Sequence, residues 1–284
     1  MNSHIGCLGV IGKGFVGEAV YEGMKHAFAI ETYDKDPKKS TTSSIQELAE
    51  KSDIIFICLP TPMRQDGSCD TSIVESVLIK LNLYQKVVVI KSTIPPGSTE
   101  KYNQTYKNIS CVFNPEFLTE ANYINDFKNQ DRIIIGGPHE AVTLVKQMYQ
   151  IAYPNVPTTK TSSTIAELVK YMTNCFLATK VAFANEIYQI CKKLDVDYDK
   201  VVEYSTKDKR LGTSHWAVPG PMPAPDGSLK PGFSGSCLCK DINALIYKAK
   251  QLGIDPKVMR GAWEKNLEVR PERDWEQLKG RAVS

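Results

Sequence analysis

The chain has 284 residues, 42% hydrophobic and 24% charged, with a formal net charge of +3. That length suffices for one large domain or two modest ones with proper cores. The small charge, without a basic run interleaved with aromatics, argues against a nucleic-acid partner. No apolar run approaches the roughly 18 residues of a membrane span. Ile5–Ile11 is apolar but has no basic leader, so it reads as a strand and not as a signal peptide. Eight cysteines are scattered, most within apolar stretches, which points to reduced thiols and a cytoplasmic location. Cys237-x-Cys239 lacks the C-x-x-C spacing of a zinc or redox site, so no metal is expected.

In chain order, strands are expected at Ile5–Ile11, Phe28–Tyr33, Ile54–Leu59, Lys86–Ile90, Ser110–Phe113 and Arg132–Ile135. Helical patterns fall between them, as at Val16–Lys25, Thr71–Leu83 and Glu140–Ile151. Near-continuous apolar strands joined by helical crossovers predict an α/β fold with a doubly wound parallel sheet. Prolines and threonines over Tyr153–Thr161 mark a boundary, giving a Rossmann-type domain over residues 1–158 and an all-α domain over 159–284. The second part opens on one uninterrupted helix, Ser162–Leu194, with Thr164 and Glu167 spaced as a capping box. Its apolar stripe is Ile165, Leu168, Val169, Met172, Phe176, Phe183, Ile187, Ile190 and Leu194. Opposite it, Glu167, Lys170, Asn174 and Asn185 share a face that, taken alone, reads as solvated with an i,i+3 ion pair. Helices at Val196–Ser205, Lys240–Gln251 and Pro256–Val269 and a Gly/Pro-rich loop, Gly212–Gly235, complete the chain.

The first strand runs into Gly12-Lys13-Gly14-Phe15-Val16-Gly17 and then a helix, the arrangement that turns tightly and brings backbone N–H groups to a pyrophosphate. Asp34 closes the second strand about twenty residues on, where a carboxylate can take ribose hydroxyls and repel a 2′-phosphate, so NAD is the expected cofactor. Lys35 and Lys39 soften that preference, and a glycine turn without a ligand is the competing reading. Thr61, Ser92 and Thr93 follow the third and fourth strands, at the strand ends where such sheets bind ligands. Glu116 and Glu120, four apart, would lie together on a helical turn as base and orienter, or else be solvated helix-start acids. Cys237 follows Gly235-Ser236 and enters a helix beside Lys240, where dipole and ammonium favour a thiolate nucleophile. A buried structural cysteine is the alternative.

These motifs, with Lys91-Ser92-Thr93, Asn114-Pro115-Glu116-Phe117-Leu118-x-Glu120, Lys170-x-x-x-Asn174 and Gly235-Ser236-Cys237-x-x-Lys240-Asp241 in order, resemble the nucleotide-sugar dehydrogenase family. Asp126-Phe127 and Asp131-Arg132 resemble its UDP-glucose 6-dehydrogenase branch more than its GDP-mannose branch. The resemblance implies a four-electron oxidation of a sugar-nucleotide C6 alcohol, most closely UDP-glucose to UDP-glucuronate as in polysaccharide biosynthesis, with NAD as oxidant. It implies a proton taken by Lys170 or by a water on Thr93 and Asp241, a thiohemiacetal and then a thioester on Cys237, oxyanions held by Lys170 and Asn174, and a hydrolytic water activated by Glu116. Glu120, Phe117, Leu118, Phe233 and Gly235 would meet the substrate. Gly12, Gly14, Phe15, Val16, Gly17, Asp34, Lys39, Thr61, Ser92, Thr93 and Lys240 would meet NAD. Arg210 resembles a family arginine that reaches into a neighbouring subunit, and the long helix would be the seam of a homodimer.

Ser234 stands where the family has glycine and Cys239 where proline is common. The resemblance implies a third, α/β unit that grips the uridine diphosphate, and none is expected within the 284 residues. Two other readings share the pattern. One is a partner-dependent or non-catalytic NAD-binding module of the same fold. The other is a β-hydroxyacid dehydrogenase, which transfers one hydride and has no use for Cys237.

Overall fold

A computed structural model describes residues 5–221, 223–224 and 226–284. The strands are β1 (Cys7–Ile11), β2 (Ala29–Tyr33), β3 (Ile54–Ile57), β4 (Lys86–Ile90), β5 (Ile109–Phe113), β6 (Ile133–Gly136) and β7 (Thr158–Thr161). They form one sheet in the order β2-β1-β3-β4-β5-β6-β7. All neighbours pair in parallel except β5 and β6, which meet antiparallel at Phe113 and Gly136. The expected doubly wound sheet is therefore mostly parallel. β7, four threonine- and lysine-rich residues within the segment read as a boundary, pairs in parallel with β6.

Successive residues of a strand face opposite sides, and the near-continuous apolar strands feed two cores accordingly. Ile54 and Phe56 join Leu8 and Val10 in a cluster with α1 (Phe15–Met24) and α6 (His139–Ala152). Ile55 and Ile57 join Ile11 in a second cluster with α2 (Ile45–Lys51), α3 (Ser72–Leu81) and Tyr102 of α4 (Ser98–Thr105). A short α5 (Tyr123–Lys128) precedes β6.

The long helix is α7 (Ser163–Leu194, 32 residues). It is followed by α8 (Tyr198–Ser205), α9 (Cys237–Gln251) and α10 (Lys257–Val269). Two compact units result. The first runs to Thr61 and resumes over Thr71–Lys170; the second takes Pro62–Asp70 and Tyr171–Ser284. The division falls inside α7 and later than residue 158, because β7 extends the sheet and the first turns of α7 pack on it. Gly136 allows that approach: a Cβ there would lie 2.5 Å from the Ser162 carbonyl oxygen and 2.8 Å from the Ala166 methyl.

Two readings of α7 are corrected. Thr164 and Glu167 do not form a capping box: the Thr164 hydroxyl donates to Glu100, and Ser162 Oγ accepts from the Ile165 N–H at 3.3 Å. Glu167 instead caps α4, accepting from Gly97 N at 2.6 Å, Thr99 N at 2.8 Å and Thr99 Oγ1 at 2.6 Å. The second correction is larger. Glu167, Lys170, Asn174 and Asn185 are all buried, while Met172, Phe176 and Leu194 are 74%, 65% and 67% exposed. The polar face is the inner one because each of its groups has a partner inside, as burial of such groups demands. No described helix is long and apolar enough to cross a membrane.

Candidate active site

In the first unit, β1 delivers the chain into the glycine loop. Gly12 has φ +89, and a Cβ there would stand 2.6 Å from the Cys58 carbonyl oxygen. A Cβ at Gly17 would stand 1.9 Å from the Gly12 carbonyl oxygen, so this glycine allows helix and strand to close. Gly14, the residue before α1, has nothing within 4 Å of an added Cβ. Open space at that one glycine, above the N-terminus of α1, is the cradle a pyrophosphate needs. Phe15 and Val16 begin α1, half-buried, with the Phe15 ring edge-on to Tyr123. At the end of β2, Asp34 accepts from Lys13 N at 2.6 Å and Asp36 N at 2.9 Å, which fixes its carboxylate beside the glycine loop. Lys39 is exposed. These residues fit a dinucleotide.

The hydroxyls after β3 and β4 are tied to the framework. Thr61 Oγ1 donates to the Thr93 carbonyl at 2.7 Å, and Ser92 Oγ accepts from Leu59 N at 2.9 Å. Thr61, Ser92 and Thr93 are all buried.

After β5 the chain from Asn114 to Thr119 forms no helical turn, so Glu116 and Glu120 do not share a helix face as the i,i+4 spacing suggested. Glu116 is buried and Glu120 exposed. Lys170 Nζ lies 2.9 Å from Glu116 Oε1 and donates to the Glu116 carbonyl at 2.6 Å. Leu118 N donates to Glu116 Oε2 at 2.8 Å. Burial is the largest influence on the Glu116 carboxyl and would raise it, but Lys170 and the backbone donor together hold it below the usual range. A cavity of about 390 Å³ opens beside it, where Arg132 stacks 4.5 Å from the Phe117 ring centroid. Phe117 and Leu118 are half-buried there. Lys91, to which the sequence assigned no role, donates to Asn114 Oδ1 at 2.9 Å, and Tyr149 donates to the same oxygen at 2.6 Å. Burial pulls its amine down to about 8. A lysine inside an apolar strand end was the available signal.

In the second unit, Gly235 has φ +77 and Ser236 precedes Cys237, the first residue of α9. Cys237 Sγ lies 3.8 Å from Ser236 Oγ, and the thiol is half-buried. One turn on, Lys240 Nζ and Asp241 Oδ1 are 2.5 Å apart, and Asn174 Nδ2 donates to Asp241 Oδ2 at 2.5 Å. Burial pulls the Lys240 amine down, but the Asp241 charge prevails and raises it. Phe233 is buried with its ring against Trp263, and Arg210 is exposed and paired with Asp208. The sequence did not single out Asn266, Arg270 or Asp274, all buried around the loop before Cys237. The i,i+4 pair Arg270 and Asp274 was visible as a spacing, but not its burial. No cluster of His, Cys, Asp and Glu able to hold a metal occurs among the described residues.

Two family models match: the NAD binding domain of the UDP-glucose/GDP-mannose dehydrogenase family over residues 21–153, and the central domain of the same family over residues 164–268. The UDP-glucose 6-dehydrogenase TuaD of Bacillus subtilis is 34% identical over 83% of this chain and 50% of its own length. The UDP-glucose 6-dehydrogenase AglM of Haloferax volcanii is 30% identical over 93% of this chain and 63% of its own. A UDP-glucose dehydrogenase structure from Pyrobaculum islandicum superposes with a TM-score of 0.83 at 29% identity, over 94% of this chain and 69% of that one. A 3-hydroxyisobutyrate dehydrogenase of Mycobacterium tuberculosis, at 15% identity and a TM-score of 0.74, shares the fold. The chain spans about half the length of the curated relatives it matches. With an NAD-binding domain followed by the central domain, both matched in order, the chain belongs to the UDP-glucose/GDP-mannose dehydrogenase family.

Proposed function

We propose that this chain oxidises the C6 alcohol of a sugar nucleotide, UDP-glucose first among them, to the carboxylate. The observation that carries the reading is Cys237 at the start of α9, behind a left-handed Gly235 and one turn from a Lys240–Asp241–Asn174 network whose carboxylate and amide are buried. A family member that transferred a single hydride would have no task for that thiol. The names of the relatives support UDP-glucose as substrate.

NAD, when bound, supplies the hydride acceptor for both oxidations. Gly14 would leave room for its pyrophosphate, and Asp34 would receive a ribose. In the first oxidation the C6 hydroxyl proton passes to Lys170 in its deprotonated form, which leaves it an ammonium, or to a water held by Asp241 or Thr93. The Cys237 thiolate then adds to the aldehyde carbon, because an aldehyde has no hydride to give until something has added to it. The resulting thiohemiacetal loses hydride and becomes a thioester. Lys170 and Asn174 stabilise the oxyanions. Glu116, ionised beside Lys170, activates the water that releases the acid and regenerates the thiol. Glu120, Phe117, Leu118 and Gly235 contact the sugar nucleotide. A homodimer forms along the exposed apolar stripe of α7, with Arg210 serving the neighbouring subunit.

The test is stoichiometric. UDP-glucose should yield two NADH and one UDP-glucuronate per molecule, and Cys237→Ala should abolish the acid. NAD binding without turnover on UDP-glucose or any other sugar nucleotide would sink the reading.

A further inference from the structure

Resting on the reading of Cys237 as nucleophile, we propose that Asn266 is its positioning residue. Three residues separate Phe233 from Cys237, and Phe233 is where the loop is gripped by its main chain. Asn266, fully buried on α10, accepts from Phe233 N at 2.7 Å and donates to the Phe233 carbonyl at 3.0 Å. A side-chain amide used on both edges has only one orientation that satisfies it. Gly232 sits at φ +74 against the same amide, where an added Cβ would be 2.5 Å from Asn266 Oδ1. Behind it, Arg270 donates to the Pro231 carbonyl at 3.1 Å while paired with Asp274.

Both departures from the family pattern contact this clamp. The Ser234 hydroxyl is among the groups that, by side-chain hydrogen bonding, lower the Asp274 carboxyl against its burial. The Cys239 thiol, in the first turn of α9, lies 3.8 Å from the Phe233 carbonyl oxygen. The substituted residues thus add holds on the same short segment, in place of a second glycine and a proline. A buried polar clamp of this kind sets one loop conformation where apolar packing would permit several.

A displaced thiol impairs only the steps that use it. The first oxidation does not; the second does. Misplacement of a reacting group by about 1 Å can cost roughly 100-fold. In single turnover of the full chain with UDP-glucose, Asn266→Ala should leave the first hydride transfer within about twofold and slow the second by roughly 100-fold, splitting NADH formation into two phases of equal size. Asn266→Asp, which keeps the acceptor for Phe233 N, should fall between. The pH midpoint of Cys237 alkylation by iodoacetamide, read by peptide mass spectrometry, should rise in both variants. Ser234→Ala should repeat the pattern more weakly, and decides the matter if the Asn266 variants do not fold. Equal slowing of both phases, or an unmoved alkylation profile, would overturn the proposal. Wild-type chain that turns over no sugar nucleotide would overturn the function instead, and the alkylation profile would still judge the clamp.

Discussion

Glu167→Gln is the sharpest probe of how the first unit is held together. The native carboxylate is buried and accepts two backbone N–H groups and a hydroxyl at the start of α4. Burial, the largest influence, lifts its carboxyl from 4.5 to about 6 against those three donors. Between these values the folded chain holds a proton that the unfolded chain has released. Stability therefore falls as pH rises through this window and levels off above it. At 1.36 kcal/mol per pH unit the fall is about 2 kcal/mol. Glutamine cannot titrate, so the variant should lack this slope. It also turns an NH₂ toward one of the three donors, leaving one unmatched at a cost of about 1–3 kcal/mol at neutral pH. Urea unfolding at a series of pH values from below 4.5 to above 7, followed by circular dichroism, gives the difference curve in which other titrating groups cancel. Parallel curves for the two proteins across that range would refute the assignment of Glu167 as a buried helix cap.

Lys91 should titrate in the opposite sense. Its amine is pulled from 10.5 to about 8, so the unfolded chain binds the extra proton between these values and stability should rise with pH there; Lys91→Met should flatten that rise in the same denaturation assay. Lys170→Met leaves Glu116 buried without its ammonium, and should cost about 3–5 kcal/mol at neutral pH, less in acid as the carboxyl takes up a proton. Gly14→Ala should leave the unfolding midpoint within error yet weaken NAD binding at least about tenfold by calorimetry, since its Cβ meets only the space a pyrophosphate would need. Gly17→Ala should lower both, because its Cβ would collide with the Gly12 carbonyl oxygen.

Strands, the principal helices and the glycine loop were legible in the sequence because local rules govern them. Ile54 to Ile57 had to be apolar at every position to serve two cores, and such a run can be read without knowing its neighbours. The positive φ of Gly12 and Gly235 is likewise a property of the backbone at those residues. The misreadings came where spacing was compatible with two environments. Thr164 and Glu167 have capping-box spacing, but Glu167 found better donors in Gly97 and Thr99. Glu116 and Glu120 have helical spacing, but the chain after β5 stays irregular.

By itself, the sequence determined a dinucleotide loop on a wound sheet, one long helix and a cysteine at a helix start. Each follows from interactions among residues a few positions apart. Only the tertiary structure decided which face of α7 turns inward, which donors Glu167 satisfies and that Asn266 holds the loop before the thiol. Those outcomes depend on groups distant in the chain, such as Asn266 and Phe233, meeting where water is excluded. There an unmatched polar group costs more than any local propensity returns.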